Sequence, residues 1–281
     1  MRLAEHRWTP RFPHARGACA ALRPLLLLLL PLLTTTGCAP GSKEKLAAAY
    51  KELDNPTPNS AEIIDAADAY LKESPSGPAA ADALYLHGRA LEEKAQRDVS
   101  TSQRDSAEAY NYYSQALTLK PRPALEGLIH VGMGNVLYFQ DRYSAAIIEL
   151  TSGLEKLDRD SDKAWTLYRI GLCQQRMGHW ADADRSFAAV QQQFPNTAPA
   201  QRAREHQGNS AFWVQVGTYA SPATADATTN ELKRMGSPAQ RFQDTARNLQ
   251  YVRVGPFTTY DAALAARQRL QARYRDAIVV P

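Results

Sequence analysis

The chain has 281 residues, 44% of them hydrophobic, with 33 Lys and Arg against 29 Asp and Glu and only three cysteines. That length allows two compact units, and three cysteines are too few for a disulfide-stapled scaffold. The formal net charge of +4 is concentrated at the start, where residues 1–23 carry Arg2, Arg7, Arg11, Arg16 and Arg23 against Glu5 alone, and the chain beyond residue 37 holds 28 charges of each sign. A nucleic-acid role thereby loses its main electrostatic support.

After the basic stretch comes an apolar run from Pro24 to Leu33. It is too short to span a bilayer, which takes about 20 residues, but charge followed by an apolar run is the order of an export signal. The run ends in Thr34-Thr35-Thr36-Gly37-Cys38, which resembles a bacterial lipoprotein signal, with Thr35 standing where that family usually has leucine. The resemblance implies removal of residues 1–37 and lipidation of Cys38. Ala39 carries no inner-membrane retention signal, so the expected anchor is the outer membrane, with the protein facing the periplasm. Cys173, the thiol then remaining, lies in the apolar helical pattern of Ile170, Gly171 and Leu172 and is expected to be a small buried hydrophobe.

From about Lys43 to Gln207 apolar residues recur at helical spacing between short Pro, Gly and Asn interruptions, which predicts an all-helical segment. A repeat runs through it. Leu167, Gly171, Gly178, Ala183, Phe187 and Pro195 form one copy, and Met133, Gly134, Tyr143, Ala146 and Leu150 form another 37 residues earlier. A third has Leu84, Gly88, Leu91, Ala109, Tyr113, Ala116 and Pro121, with about nine extra residues near Arg97 to Arg104 expected to lengthen its turn. Leu46 to Leu53 and Ala61 to Leu71 read as a degenerate first copy. The spacing resembles the tetratricopeptide (TPR) repeat, which implies an α-helical solenoid, and Phe187 to Thr197 is similar to repeat ends of periplasmic TPR proteins of envelope biogenesis. Phe187 is expected to fill the gap between repeats. By that resemblance Tyr85, Arg89, Asn135, Tyr138, Trp165, Tyr168, Gln175 and Arg176 line a concave groove for a protein partner. Aromatic rings beside hydrogen-bonding groups suit an extended peptide, and the same rings equally suit capping of the core between repeats.

The last seventy-odd residues alternate apolar and polar. Phe212 to Tyr219 is a strand, Pro222 to Met235 a helix, Gln240 to Asp244 and Gln250 to Phe257 strands, Tyr260 to Tyr274 a helix and Ala277 to Val280 a strand. The order βαββαβ predicts an antiparallel four-stranded sheet with both helices on one face. Period two turns Val214, Val216, Val252 and Val254 inward and Trp213, Gln215, Gly217, Leu249, Tyr251 and Arg253 outward. A ring, an amide and a guanidinium on an open sheet suit a sugar, whose C–H faces stack on rings and whose hydroxyl, acetamido and carboxylate groups hydrogen-bond.

Val214-Gln215-Val216-Gly217-Thr218-Tyr219 and Val252-Arg253-Val254-Gly255-Pro256-Phe257 resemble a SPOR domain. That implies a non-catalytic module for peptidoglycan, favouring glycan strands stripped of stem peptides, often at division sites. Gln215 and Thr218 match residues implied as glycan contacts, and Ile278 an outward apolar position. Leu249 and Tyr251 depart from the family's aromatic and arginine, and Arg253 is expected to take over the cation's task. Residues 209–281 carry 9 basic and 5 acidic side chains, in keeping with an anionic ligand.

Outward rings on such a sheet also serve RNA-recognition motifs, but the glycine-aromatic signature is missing. No His-Glu-x-x-His, Ser-x-x-Lys or phosphate-cradling loop points to an enzyme, a metal or a cofactor. The expected organisation is a signal peptide at 1–37, TPR-like helices at 38–207 and a SPOR domain at 208–281: an all-α solenoid followed by a small α+β module. The competing reading is an envelope scaffold whose groove does the work, the C-terminal module being an address tag.

Overall fold

The computed structural model describes residues 41–281. The signal peptide, Cys19 and the lipidation site Cys38 lie outside the described residues. The chain divides into two compact units between Arg122 and Pro123, inside the helical array.

The first unit holds α1 (Ser42–Leu53), α2 (Ser60–Glu73), α3 (Pro78–Arg97) and α4 (Ser102–Thr118). In the pair α1 and α2 the apolar stripes Leu46, Ala49, Leu53 and Ile63, Ala66, Ala67, Tyr70 are buried, as helical spacing requires. The extra residues of the next repeat turn out to be helical. Only residues 98–101 separate α3 from α4, and the insertion adds about one turn to each helix. Ion pairs fasten the extended ends: Lys94 Nζ lies 3.2 Å from Asp105 Oδ2, and Arg104 Nη2 lies 2.9 Å from Asp105 Oδ1.

The second unit begins with α5 (Pro123–Phe139), α6 (Tyr143–Leu154), α7 (Asp160–Arg176), α8 (Trp180–Gln193) and α9 (Ala198–His206). Here, as in α3 and α4, one contact sets the repeat. Gly88, Gly134 and Gly171 receive Tyr113, Leu150 and Phe187 from the following helix, and a Cβ on the three glycines would stand 2.7, 2.6 and 2.6 Å from those side chains. The large residues recur every 37 positions, as do Ala109, Ala146 and Ala183. Packing of a large side chain on glycine therefore draws each pair together. Phe187 sits against Gly171 within its own repeat and also reaches beyond it, its ring lying 5.5 Å from that of His206 on α9.

The unit continues with β1 (Phe212–Tyr219), α10 (Pro222–Arg234), β2 (Ala239–Asp244), β3 (Leu249–Phe257), α11 (Tyr260–Leu270) and β4 (Ile278–Val280). The strands form an antiparallel sheet in the order β2-β3-β1-β4. Phe212, Val214, Val216, Val252 and Val254 form one buried cluster with Ala225 and Leu232 of α10 and Ala263, Ala266 and Leu270 of α11. Both helices therefore cover one face, as predicted, and among the described residues no helix covers the other.

The sheet module is seated on the last repeat. Trp180 packs against the sheet's core with its ring 4.8 Å from that of Phe212, and the Arg176 guanidinium lies 3.7 Å from the Tyr260 ring centroid. The intervening residues are held as well: the Gly208 amide donates to Asp184 Oδ1 at 2.8 Å, and Asn209 Nδ2 donates to the His206 carbonyl at 2.9 Å.

Candidate functional site

The bare face of the sheet gathers side chains from all four strands. Gln215 stands opposite Arg253 on β3 and Ile278 on β4, and Thr218 stands opposite Tyr251. Thr218 stands three positions after Gln215, which on a regular strand would put them on opposite faces. The register slips between Gln215 and Gly217, leaving Val216 as the extra residue of a β-bulge, and this turns Thr218 to the open side. Gln215 Nε2 accordingly donates to Thr218 Oγ1 at 3.3 Å. Gly217, expected outward, faces Tyr219 instead, whose hydroxyl oxygen would be 2.6 Å from a Cβ there.

Arg253 anchors the middle of the face. Its Nε donates to Gln215 Oε1 at 3.2 Å, and its guanidinium lies 5.2 Å from the ring of Phe242 and 5.5 Å from that of Tyr251. Burial lowers its pKa from the ordinary guanidinium value, with the Tyr251 hydroxyl acting the other way; so high a starting value leaves it charged. It has no ion-pair partner among the described residues. Tyr251 is steadied by donating to Asp244 Oδ2 at 3.2 Å.

Phe242, which period-two reasoning on β1 and β3 does not reach, completes the face. It pairs with Tyr251 on β3, and its ring meets Trp213 edge to face at 5.1 Å, across the intervening strand. Gly255 makes that crossing possible, because a Cβ there would stand 3.0 Å from Trp213 Cε3. Trp213, Gln215, Thr218, Tyr251, Arg253 and Ile278 thus share one surface, with Ile278 41% exposed at its edge. The surface offers two ring walls, an amide, a hydroxyl and an uncompensated cation. It can stack on apolar sugar faces and donate to hydroxyl, carbonyl and carboxylate oxygens.

The expected groove is a different matter. Tyr85, Arg89, Asn135, Tyr138 and Tyr168 are all at most 4% exposed, so they build the interior rather than an open wall. In the first unit Arg89 Nη1 lies 2.7 Å from Glu92 Oε2 and Nη2 lies 3.2 Å from Glu93 Oε1, while the Tyr113 hydroxyl donates to Glu92 at 2.7 Å. Burial alone would lower the Arg89 pKa, but Glu92, Tyr113 and Glu93 outweigh it and hold the group above its ordinary value. Charges removed from water need such partners.

In the second unit Trp165 and Arg176 remain half-buried, and each already has a neighbour: the Arg202 guanidinium lies 4.8 Å from the Trp165 ring, and Arg176 faces Tyr260. Gln175 Oε1 lies 2.8 Å from His206 Nδ1. Cys173 is buried, and burial pushes its thiol up to about 12. Among the described residues no three His, Cys, Asp or Glu side chains cluster as metal ligands, and no helix is long and apolar enough to cross a membrane.

Comparison with known families now bears on both regions. Residues 208–281 match the family model described as SPOR domain, and residues 165–197 match that described as Tetratricopeptide repeat. No curated protein matches the chain.

Proposed function

We propose, for a chain that carries a SPOR domain at 208–281 behind tetratricopeptide-type helices, a non-catalytic role in the bacterial cell envelope: the open sheet face binds peptidoglycan and the helical array binds a protein partner. The observation that carries this reading is the Gln215–Arg253 pair set between the Trp213, Phe242 and Tyr251 rings. Rings pack on the C–H faces of a pyranose, Gln215 and Thr218 reach hydroxyl and acetamido groups, and Arg253 takes the carboxylate of a lactyl group. Strands stripped of stem peptides present those groups without obstruction and are the proposed ligand.

The Cys38 lipid would fix one end of the protein in the membrane, with the outer membrane favoured, and the glycan would fix the other. Two weak attachments on one chain raise the effective concentration of each, and with it that of the partner held by the helices. Division sites, where stripped strands gather, are the proposed address. A fluorescent fusion of the full chain compared with one lacking residues 208–281 tests this in cells. Midcell enrichment of the first and loss of enrichment of the second are expected; equal enrichment of both would refute it.

A further inference from the structure

The last turn of α10 carries Lys233 and Arg234 and is followed by Met235; all three are exposed, the methionine by 54%. Neither cation has an ion-pair partner among the described residues. Arg234 Nε donates to the Asn230 carbonyl at 3.4 Å, which lays its stem along the helix and leaves its charge uncompensated. A third cation joins them, because the exposed Arg273, beyond the end of α11, pairs with Glu231 in the same turn of α10. Of the five acids in residues 209–281, Asp226, Glu231 and Asp244 are taken up by Arg241, Arg273 and Arg247, which leaves none of those three for Lys233 or Arg234.

Cations in a last turn complement the helix dipole, which accounts for their position. It does not account for Met235. Among the described residues of the SPOR module the other exposed large hydrophobic side chain is Ile278, at the rim of the glycan face. Leu232, next to the cations, belongs to the buried cluster beneath the sheet, so this turn stands on the side away from Gln215 and Arg253. An exposed apolar side chain beside uncompensated cations matches an anionic bilayer, where the charges meet headgroups and the methionine enters the boundary with the acyl chains. A partner offering charge alone, such as an acidic peptide, would satisfy the cations and leave Met235 in water. Each cation at such a surface is worth about fivefold in affinity, so the contact is weak alone and gains from any second attachment of the same chain.

We propose that the end of α10, with Lys233, Arg234 and Met235 beside Arg273, rests on the anionic headgroups of a phospholipid bilayer. This goes beyond the glycan reading and does not depend on it: the two surfaces lie on opposite sides of the module, which lets one chain engage both.

The test is co-sedimentation with vesicles at low ionic strength. Because the basic start of the chain would itself meet anionic lipid, it uses residues 39–281, which keep every described residue. Binding to vesicles of phosphatidylethanolamine with phosphatidylglycerol is expected, and binding to vesicles of phosphatidylcholine is not. Lys233→Gln combined with Arg234→Gln should weaken binding about tenfold or more. Met235→Trp, whose ring favours the headgroup level, should strengthen it, and Lys51→Gln, which removes the same charge from α1, should leave it unchanged. The proposal is overturned if the chain binds neither vesicle or both equally, if the double variant binds as the parent does, if Met235→Trp has no effect, or if polyglutamate displaces the bound chain, which would assign the basic edge to an acidic protein. Sacculus binding measured on the same preparations separates the two readings: retained sacculus binding without vesicle binding removes the lipid contact and leaves the glycan reading intact, and Gln215→Ala combined with Arg253→Ala should lose sacculi and keep vesicles.

Discussion

The contact between a glycine and a large side chain that recurs along the helices predicts a reversal of sign. Phe187 is fully buried against Gly171, so Phe187→Ala should cost about 3–5 kcal/mol. Alanine is about 1 kcal/mol better than glycine inside a helix. In the parent chain, however, the new methyl of Gly171→Ala would stand 2.6 Å from Phe187 Cε1. Overpacking of that kind costs about 1–3 kcal/mol, so Gly171→Ala should be neutral to destabilising by about 2 kcal/mol. In the Phe187→Ala background the obstacle is gone, and the same substitution should stabilise by about 1 kcal/mol. Urea unfolding of the four chains, followed by far-UV circular dichroism, gives the coupling as a double-mutant cycle. A stabilising effect of the same size in both backgrounds would refute close packing as the role of Gly171.

Three further outcomes follow from the geometry. Phe242→Ala removes the wall that Trp213 and Arg253 share and should weaken sacculus binding about tenfold while sparing the fold, as read by co-sedimentation and circular dichroism. Arg176→Ala removes the cation from Tyr260 and should speed protease cleavage near residues 207–210; an unchanged cleavage rate would mean that the contact does not hold the module down. Cys173, raised by burial from 9.0 to about 12, should resist alkylation at neutral pH until denaturant is added. The folded state holds this proton more tightly than the unfolded state, so the contribution is intact below about pH 9 and is lost as pH rises toward about 12. Cys173→Ala should flatten that part of the stability profile.

Much of the fold was legible because it is periodic. The 37-residue recurrence of Ala109, Ala146 and Ala183 with Tyr113, Leu150 and Phe187 marks the helical pairs, and the alternation around Val214 and Val252 marks the sheet and its buried face. What escaped depends on neighbours distant in sequence. The slip at Val216 is set by pairing with β3, and period two alone turns Gly217 outward. Phe242 lies on a strand whose faces are fixed only once β2 is paired with β3. The groove set failed for a related reason: helical spacing identifies one side of α3, α5 and α7, but whether Tyr85 or Tyr138 on that side meets water depends on what packs there.

The decisive measurement is co-sedimentation of the full chain with sacculi before and after amidase removes the stem peptides, repeated with Gln215→Ala combined with Arg253→Ala. More protein should sediment with the treated sacculi, and the double substitution, which leaves the buried cluster untouched, should abolish the increase while the chain stays folded. Equal sedimentation of parent and double variant would contradict the assignment of the open sheet face as the glycan surface.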